Sequence, residues 1–366
     1  MRSGKRGVLR LIAAMVLMTT VSLTACGPAG VAENGPAAGG NVISSSENSS
    51  PGLTNPAGEG SLAVHFIDVD QGDSILAESD GHYMLIDAGE NDQGDKVVVY
   101  LQQQGIDTLD YVIGTHPHSD HIGGLDDVIH NFTVGEIILP PVTHTTRTYE
   151  DVLDAAKEQG KTVTTPEVGA SYRLGSAAFE IIAPNKDYGN DLNNWSVGIK
   201  LTNGKNSFVM CGDAEAEAEA DICDNGIDIS ADVLKLGHHG SSTSSSDVFL
   251  DRVSPEYAVI SCGLGNSYGH PHKETMAKMA ERGISVFRTD EQGTVVAVSD
   301  GDTITWSTNP TSGTEKTGIT YVLNTRNKKF HRPDCGSLPT NNREDTKMSR
   351  EEIISQGYEP CKICNP

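Results

Sequence analysis

Thr115-His116-Pro117-His118-Ser119-Asp120-His121-Ile122-Gly123-Gly124 follows directly on the largely apolar run Leu109 to Gly114. Three histidines and an aspartate fall within six residues, between a strand-like segment and the start of a helix. Imidazole and carboxylate are the side chains that hold two divalent cations close together, and such a pair makes a nucleophile of water at neutral pH. His116 and His118 alternate, so an extended backbone points both to one side. Asp120 and His121 follow on the turn, in position for a second ion. A merely polar, His-rich loop would have no partners elsewhere in the chain; this stretch has several.

The first lies upstream. Leu62 to Val69 alternates as a strand, turns at Asp70-Gln71-Gly72-Asp73 and returns over Ser74 to Glu78 as a hairpin. A third strand, His82 to Ile86, ends in Asp87-Ala88-Gly89, and a helical stretch from Lys96 to Gln104 leads to the buried strand before the His cluster. Downstream, the apolar strand Phe208 to Cys211 closes on Gly212-Asp213-Ala214, and a helical run extends from Glu215 to Cys223. Asp213 can reach both ions as a bridge, although the same position would also suit a helix N-cap. Val233-Leu234-Lys235-Leu236-Gly237-His238-His239-Gly240 then supplies two histidines, one of which should complete the second metal. Tyr257 to Ser261 leads into Asn266-Ser267-Tyr268-Gly269-His270-Pro271-His272. Ser241, Ser242, Tyr268 and His270 are suitable donors for phosphate oxygens. His65, His130 and His144 stand outside these motifs and read as structural or solvated. Strands alternating with helices, in two similar halves, predict an α/β fold: a four-layer αββα sandwich with the site along one edge.

The chain has 366 residues with 27 basic and 50 acidic side chains, a net charge of -23. Residues 61–318 alone carry 15 basic and 41 acidic side chains. Part of that excess is a ligand set that dications would neutralise. The rest disfavours salt-driven binding of duplex nucleic acid along a basic groove.

Residues 1–26 have the form of an export signal. Arg2, Lys5, Arg6 and Arg10 precede an apolar centre, Leu11 to Val21, too short to span a membrane comfortably. Leu23-Thr24-Ala25-Cys26 resembles a bacterial lipobox, which implies acylation of Cys26 and a lipid anchor on the outer side of the cell membrane. Eight Gly, four Pro, five Ser and four Asn make residues 27–60 a flexible tether. The main domain is expected over 61–306, a second linker over 307–318 and a small domain over 319–366. Of seven cysteines, Cys211, Cys223 and Cys262 fall in the main domain, where a Cys211–Cys223 disulfide and three buried thiols are both compatible with the spacing.

The tail carries a separate metal signal. His331-x3-Cys335 and Cys361-x2-Cys364 are paired ligands across a loop, as a closed tetrahedral zinc site requires. A domain of under fifty residues has little core, so one structural Zn2+ would supply much of its folding free energy.

The set His116-x-His118-x-Asp120-His121, with Asp87 before it and Asp213 and His238/His239 after it, resembles the metallo-β-lactamase superfamily. Within it, HFIDVDQGDSIL, FVMCGDAE, LKLGHHGSSTSSS and NSYGHPHKETMAKMAERGISVFRTDEQGTV resemble the soluble hydrolase domain of ComEC competence proteins. The resemblance implies that His116 and His118 bind one ion, Asp120 and His121 the other, and that Asp213 bridges. It implies His238 as the last ligand, with His239 as the alternative. Asp87 would orient a histidine from behind, and Asp120, Asp87 and His239 would form the catalytic group. Two positions depart from the pattern: Asp70 stands where the family has Gly, and Asn193-Asn194-Trp195-Ser196 occupies the place of the superfamily's usual extra histidine. Oxygen-rich coordination makes Mn2+ as suitable as Zn2+. The tail resembles the metal-binding domain of Ada DNA-repair proteins, with His331 in place of the first cysteine; that replacement removes the residue on which Ada's repair chemistry depends. The expected activity is hydrolysis of phosphodiesters, single- or double-stranded DNA among them, outside the cell membrane. The alternative is a cell-envelope esterase, such as one acting on teichoic-acid phosphorylcholine, or another ester or amide hydrolase.

Overall fold

The computed structural model describes residues 60–308, 321–331, 335, 337–346, 353 and 356–361. The proposed signal, Cys26 and the first tether lie outside the described residues, apart from Gly60, as does Cys364.

Two sheets form the centre. The first has eight strands in the order 304–308, 295–299, 62–66, 75–79, 82–86, 108–113, 133–138 and 163–164. The second has seven, in the order 285–288, 257–260, 233–235, 206–210, 198–203, 177–183 and 171–174. Both are mixed, with antiparallel hairpins on one side and parallel strands on the other. The strand Ile304–Thr308 pairs along its length with Val295–Ser299, so Ser307 and Thr308 belong to the sheet and not to the expected linker.

Alternation of side chains along the strands sorts the core into three layers. Leu62, Val64 and Phe66, with Met84 and Ile86, face the second sheet and pack with Phe179, Ile181, Leu201, Phe208 and Met210. Leu76, Leu85 and Val112 face the other way, against Val97 and Leu101 of the helix Gly94–Gln103, Val128 of Leu125–Asn131 and Val152 of Arg147–Glu158. Val209, Leu234 and Ala258 do the same for the second sheet, beneath Ile222 of Ala216–Asp224, Phe249 of Asp247–Val253 and Met279 of Lys273–Arg282. Helix, sheet, sheet, helix is the expected α/β sandwich.

The strands that run parallel determine where chemistry can sit. His82–Ile86 and Thr108–Ile113 are parallel neighbours in one sheet, as are Asn206–Met210, Val233–Lys235 and Tyr257–Ile260 in the other. Their carboxyl ends open into Asp87, His116, Asp213, His239 and Ser261. Open α/β sheets place ligand sites at such strand ends.

Residues of the tail form a four-stranded sheet, ordered 343–346, 321–324, 329–331 and 359–360. Its core is small: Tyr321, Leu323, Phe330, Ile353 and Tyr358. Cys211, Cys223, Cys262, Cys335 and Cys361 are all free thiols, so the Cys211–Cys223 disulfide does not form.

Candidate metal centre

The site is built from turns that sequence makes unusually close. Gly72 has φ +142, and a Cβ there would stand 2.4 Å from the carbonyl oxygen of Asp120. Only glycine lets the Asp70–Asp73 turn lie against the His cluster. Asp70, the departure from the family pattern, takes a left-handed φ of 58, which Asp tolerates better than most residues. The Asp73 N–H then donates to the Asp120 carbonyl (3.1 Å), and the Asp73 carbonyl accepts from Gly89 (2.8 Å).

Asp87 is fully buried behind the cluster. Its carboxylate accepts from the Thr115 N–H (2.8 Å), the Thr115 hydroxyl (2.7 Å) and His121 Nδ1 (2.8 Å). With Nδ1 so engaged, His121 turns Nε2 to Asp213 Oδ1, 3.2 Å away. Asp213 is central: His116 Nε2 is 4.0 Å and His239 Nε2 3.6 Å from its Oδ2. His116 Nε2 and His118 Nδ1 lie 2.9 Å apart, and Asp120 Oδ2 is 3.3 Å from His239 Nε2. Asp213 does not cap the following helix, whose N-cap residue is Glu215.

The adjacent histidines part company at a left-handed turn. His238 (φ 51), His239 (φ 55) and Gly240 (φ 82) all have positive φ. His239 is carried inward, 1% exposed, with Nδ1 donating to the Ser261 carbonyl (3.0 Å). His238 stays at the rim: its side chain is 25% exposed, with Nδ1 3.2 Å from both Glu215 and Thr243 and Nε2 3.6 Å from Asp213 Oδ2. The structure thus brings His239 into the buried cluster and leaves His238 at its rim, also 3.6 Å from Asp213.

Polar atoms with no hydrogen-bond partner converge here. His121 Nε2, His239 Nε2, Asp213 Oδ1 and Asp73 Oδ1 are all buried without one. An unmet buried polar group costs about 1–3 kcal/mol, so four on residues gathered this closely fit a place for a cation. Ligating atoms of Asp73, His121, Asp213 and His239 lie within 4.8 Å of one another. Electrostatics agrees. Burial opposes charge on His239, but Asp213, Asp120 and Asp73 outweigh it and raise its pKa to about 9. For His121, burial is likewise outweighed by Asp213, Asp87 and Asp120, and its pKa lies well above the ordinary value. Asp213, despite burial, is held well below the carboxylate range by His121 and His239. The buried carboxylates thus favour positive charge at the histidines between them.

Asp213 and His239, with His118 and Asp120, line a cleft of about 300 Å³ whose rim includes Gln71, Glu90, Asn193, His238, Tyr268 and His270. Among the described residues, neither lysine nor arginine lines it. Tyr268 is exposed and stacks on His270 (centroids 5.6 Å apart, planes at 19°). Ser241 is buried and bonded to Thr243, not turned to the cleft; Ser242 bonds His272. His65 is buried against Tyr100, whereas His130 and His144 bond Glu158 and Thr146 at the surface. Asp73 was not among the expected site residues. Its only signal in the sequence was its place in the Gln71-Gly72-Asp73-Ser74 turn.

The metallo-beta-lactamase superfamily model matches residues 67–264, more than half of the chain. The chain belongs to the metallo-β-lactamase superfamily. Within it, the chain is 32% identical over 250 residues to "ComE operon protein 3" of Bacillus subtilis (strain 168), covering 63% of this chain and 32% of that protein. It is 31% identical over 237 residues to "Competence protein ComA" of Neisseria gonorrhoeae (64% and 32% covered). It is 30% identical over 237 residues to "Recombination protein 2" of Haemophilus influenzae (63% and 28% covered). The chain spans about a third of the length of these curated relatives. The resemblance to ComEC competence proteins is therefore met by relatives of that kind, and the superfamily makes the chain a metal-dependent hydrolase. Among the described residues, no helix is long and apolar enough to cross a membrane.

In the tail, His331 Nδ1 is 3.5 Å from Cys335 Sγ, and the ligating atoms of His331, Cys335 and Cys361 lie within 4.8 Å of one another. Ser337 Oγ sits 3.2 Å from Cys335 Sγ and 3.6 Å from Cys361 Sγ.

Proposed function

We propose that the protein is an extracytoplasmic phosphodiesterase of the ComEC-like type, with DNA as its expected polymer. The observation that carries the reading is the convergence of buried His and Asp donors on the floor of an open cleft, in a chain whose relatives bear competence names. His116, His118 and Asp213 would hold one divalent ion, and Asp120, His121, Asp213 and His239 the other. Bound Zn2+ or Mn2+ would supply Lewis acidity and a water acidic enough to attack at neutral pH. The residues do the rest. Asp87 orients His121, Asp120 lines the cleft beside His239 where it would align an attacking water, and Tyr268 and His270 would meet the substrate at the rim. Because no described lysine or arginine lines the cleft, a phosphate would be recognised through the cations and rim histidines.

That absence also supports a second reading, a cell-envelope esterase acting on a smaller group such as teichoic-acid phosphorylcholine. The signal, lipobox at Cys26 and tether would place either enzyme on the outer face of the membrane. His331, Cys335, Cys361 and Cys364 would hold one structural Zn2+ in an Ada-like tail. Residues 61–366 incubated with single-stranded DNA, duplex DNA and a small phosphodiester, each with Mn2+ or Zn2+, test the reading. Cleavage of DNA supports it. Hydrolysis of the small ester alone favours the second reading, and no hydrolysis with either ion sinks both.

A further inference from the structure

A fully buried ammonium beside a proposed dication site calls for a reason. Lys235 ends the strand Val233–Lys235 with its side chain 0% exposed, its Nζ 2.9 Å from Asp73 Oδ2 and donating to the Leu236 carbonyl (3.0 Å). Stability is a weak reason, since apolar residues of similar volume often replace a buried ion pair at no loss. The location is more informative. The Asp73 backbone is tied to both the Asp120 turn and the Gly89 turn, so its side chain is fixed relative to the ligand-bearing segments. One carboxylate oxygen is locked by Lys235; the other, Oδ1, lies 3.4 Å from His239 Nδ1. That same Nδ1 donates to the Ser261 carbonyl. An imidazole whose Nδ1 carries its proton presents the Nε2 lone pair, and such outer partners fix the tautomer and ring plane of metal-binding histidines.

We propose that Asp73, locked by Lys235, is the positioning carboxylate for His239. Its Oδ1, 3.4 Å from Nδ1, favours the Nδ1–H tautomer by charge while the Ser261 carbonyl accepts that proton, and together they keep the ring plane in place with Nε2 turned to the metal cavity. Lys235 has a second effect. Asp73 carries an oxygen within the 4.8 Å cluster of ligating atoms, and the ammonium keeps that carboxylate from swinging in as a competing ligand. The inference rests on the reading of His239 as a ligand.

The test counts metal and titrates Zn2+ affinity in the purified protein, records the visible spectrum of the Co2+-loaded form, and measures apo thermal midpoints. Asp73→Asn keeps the shape but weakens the hold on Nδ1; one ion should bind roughly 10–100-fold more weakly and the Co2+ bands should shift, with the other ion unchanged. Lys235→Met alone strands a buried carboxylate and risks the fold, so Asp73→Asn/Lys235→Met, which removes both charges, accompanies it. The double variant should regain the apo midpoint yet keep the weakened ion. Wild-type affinity for both ions and a wild-type Co2+ spectrum, in the double variant or in Asp73→Asn alone, would make the pair merely structural and overturn the proposal. His239→Ala separates the premises. If it retains both ions at full affinity, the ligand reading itself fails; if it loses one while Asp73→Asn does not, only the positioning role fails.

Discussion

Removing divalent ions should leave a protein whose stability falls as pH rises from 6.5 to 8.5. His239 has a pKa of about 9 in the fold, because Asp213, Asp120 and Asp73 outweigh the burial that opposes its charge; an unfolded histidine has about 6.5. A raised folded pKa contributes stability that is complete below the unfolded value and is lost as pH climbs through the folded one. Between pH 6.5 and 8.5 that loss is about 2 kcal/mol for His239 alone, at 1.36 kcal/mol per pH unit where the two states differ by a full proton. His121, also raised, adds loss of the same sign. His116 and His118 are shifted the other way, chiefly by burial, so near pH 6.5 they oppose this slope in part. For a domain of this size about 2 kcal/mol moves the thermal midpoint by about 4–8 °C. The ion-loaded protein should show the opposite slope, because cations bind deprotonated imidazole and compete better as pH rises. Melting curves with chelator and with saturating Zn2+, each at several pH values across the window, provide the assay. An apo midpoint that stays level or climbs from pH 6.5 to 8.5 would refute the charge balance assigned to this cluster.

Asp120→Ala should lower turnover of a small phosphodiester by at least about 100-fold while circular dichroism and the folded core persist, since the sandwich does not depend on that side chain; full activity would remove Asp120 from the mechanism. Gly72→Ala forces a Cβ to within 2.4 Å of the Asp120 carbonyl at φ +142, so urea unfolding should register a loss of about 2–4 kcal/mol together with weaker metal binding. Cys361→Ser with Cys364→Ser should release one zinc per chain and leave the ions of the His cluster in place. Metal counting decides it, and an emptied His cluster would defeat the two-site description.

Local spacing made much of this molecule readable from its residues alone. Alternation in Leu62 to Val69 and His82 to Ile86 marked strands with two different faces, and the structure sorts those faces into different core layers. Residues 116–121 are ligand-like because their neighbours in sequence are neighbours in space: a strand end and one turn suffice to gather them. Asp87 and Asp213, each just beyond an apolar strand, were visible for the same reason.

Other features were decided by tertiary structure, where adjacency along the chain carries no information about direction. His238 and His239 are chemically identical neighbours. Only a left-handed turn, braced by the Ser261 carbonyl from the next strand, sends one inward and leaves the other at the rim. Ser241 looked like a phosphate donor but is buried against Thr243. Asp73 and Lys235 stand 162 positions apart in the sequence and reveal nothing of each other until the two sheets pack. The choice of residues able to bind metal is thus written locally. Which of them face the cavity, and what holds them there, depends on strands from two sheets meeting at one edge.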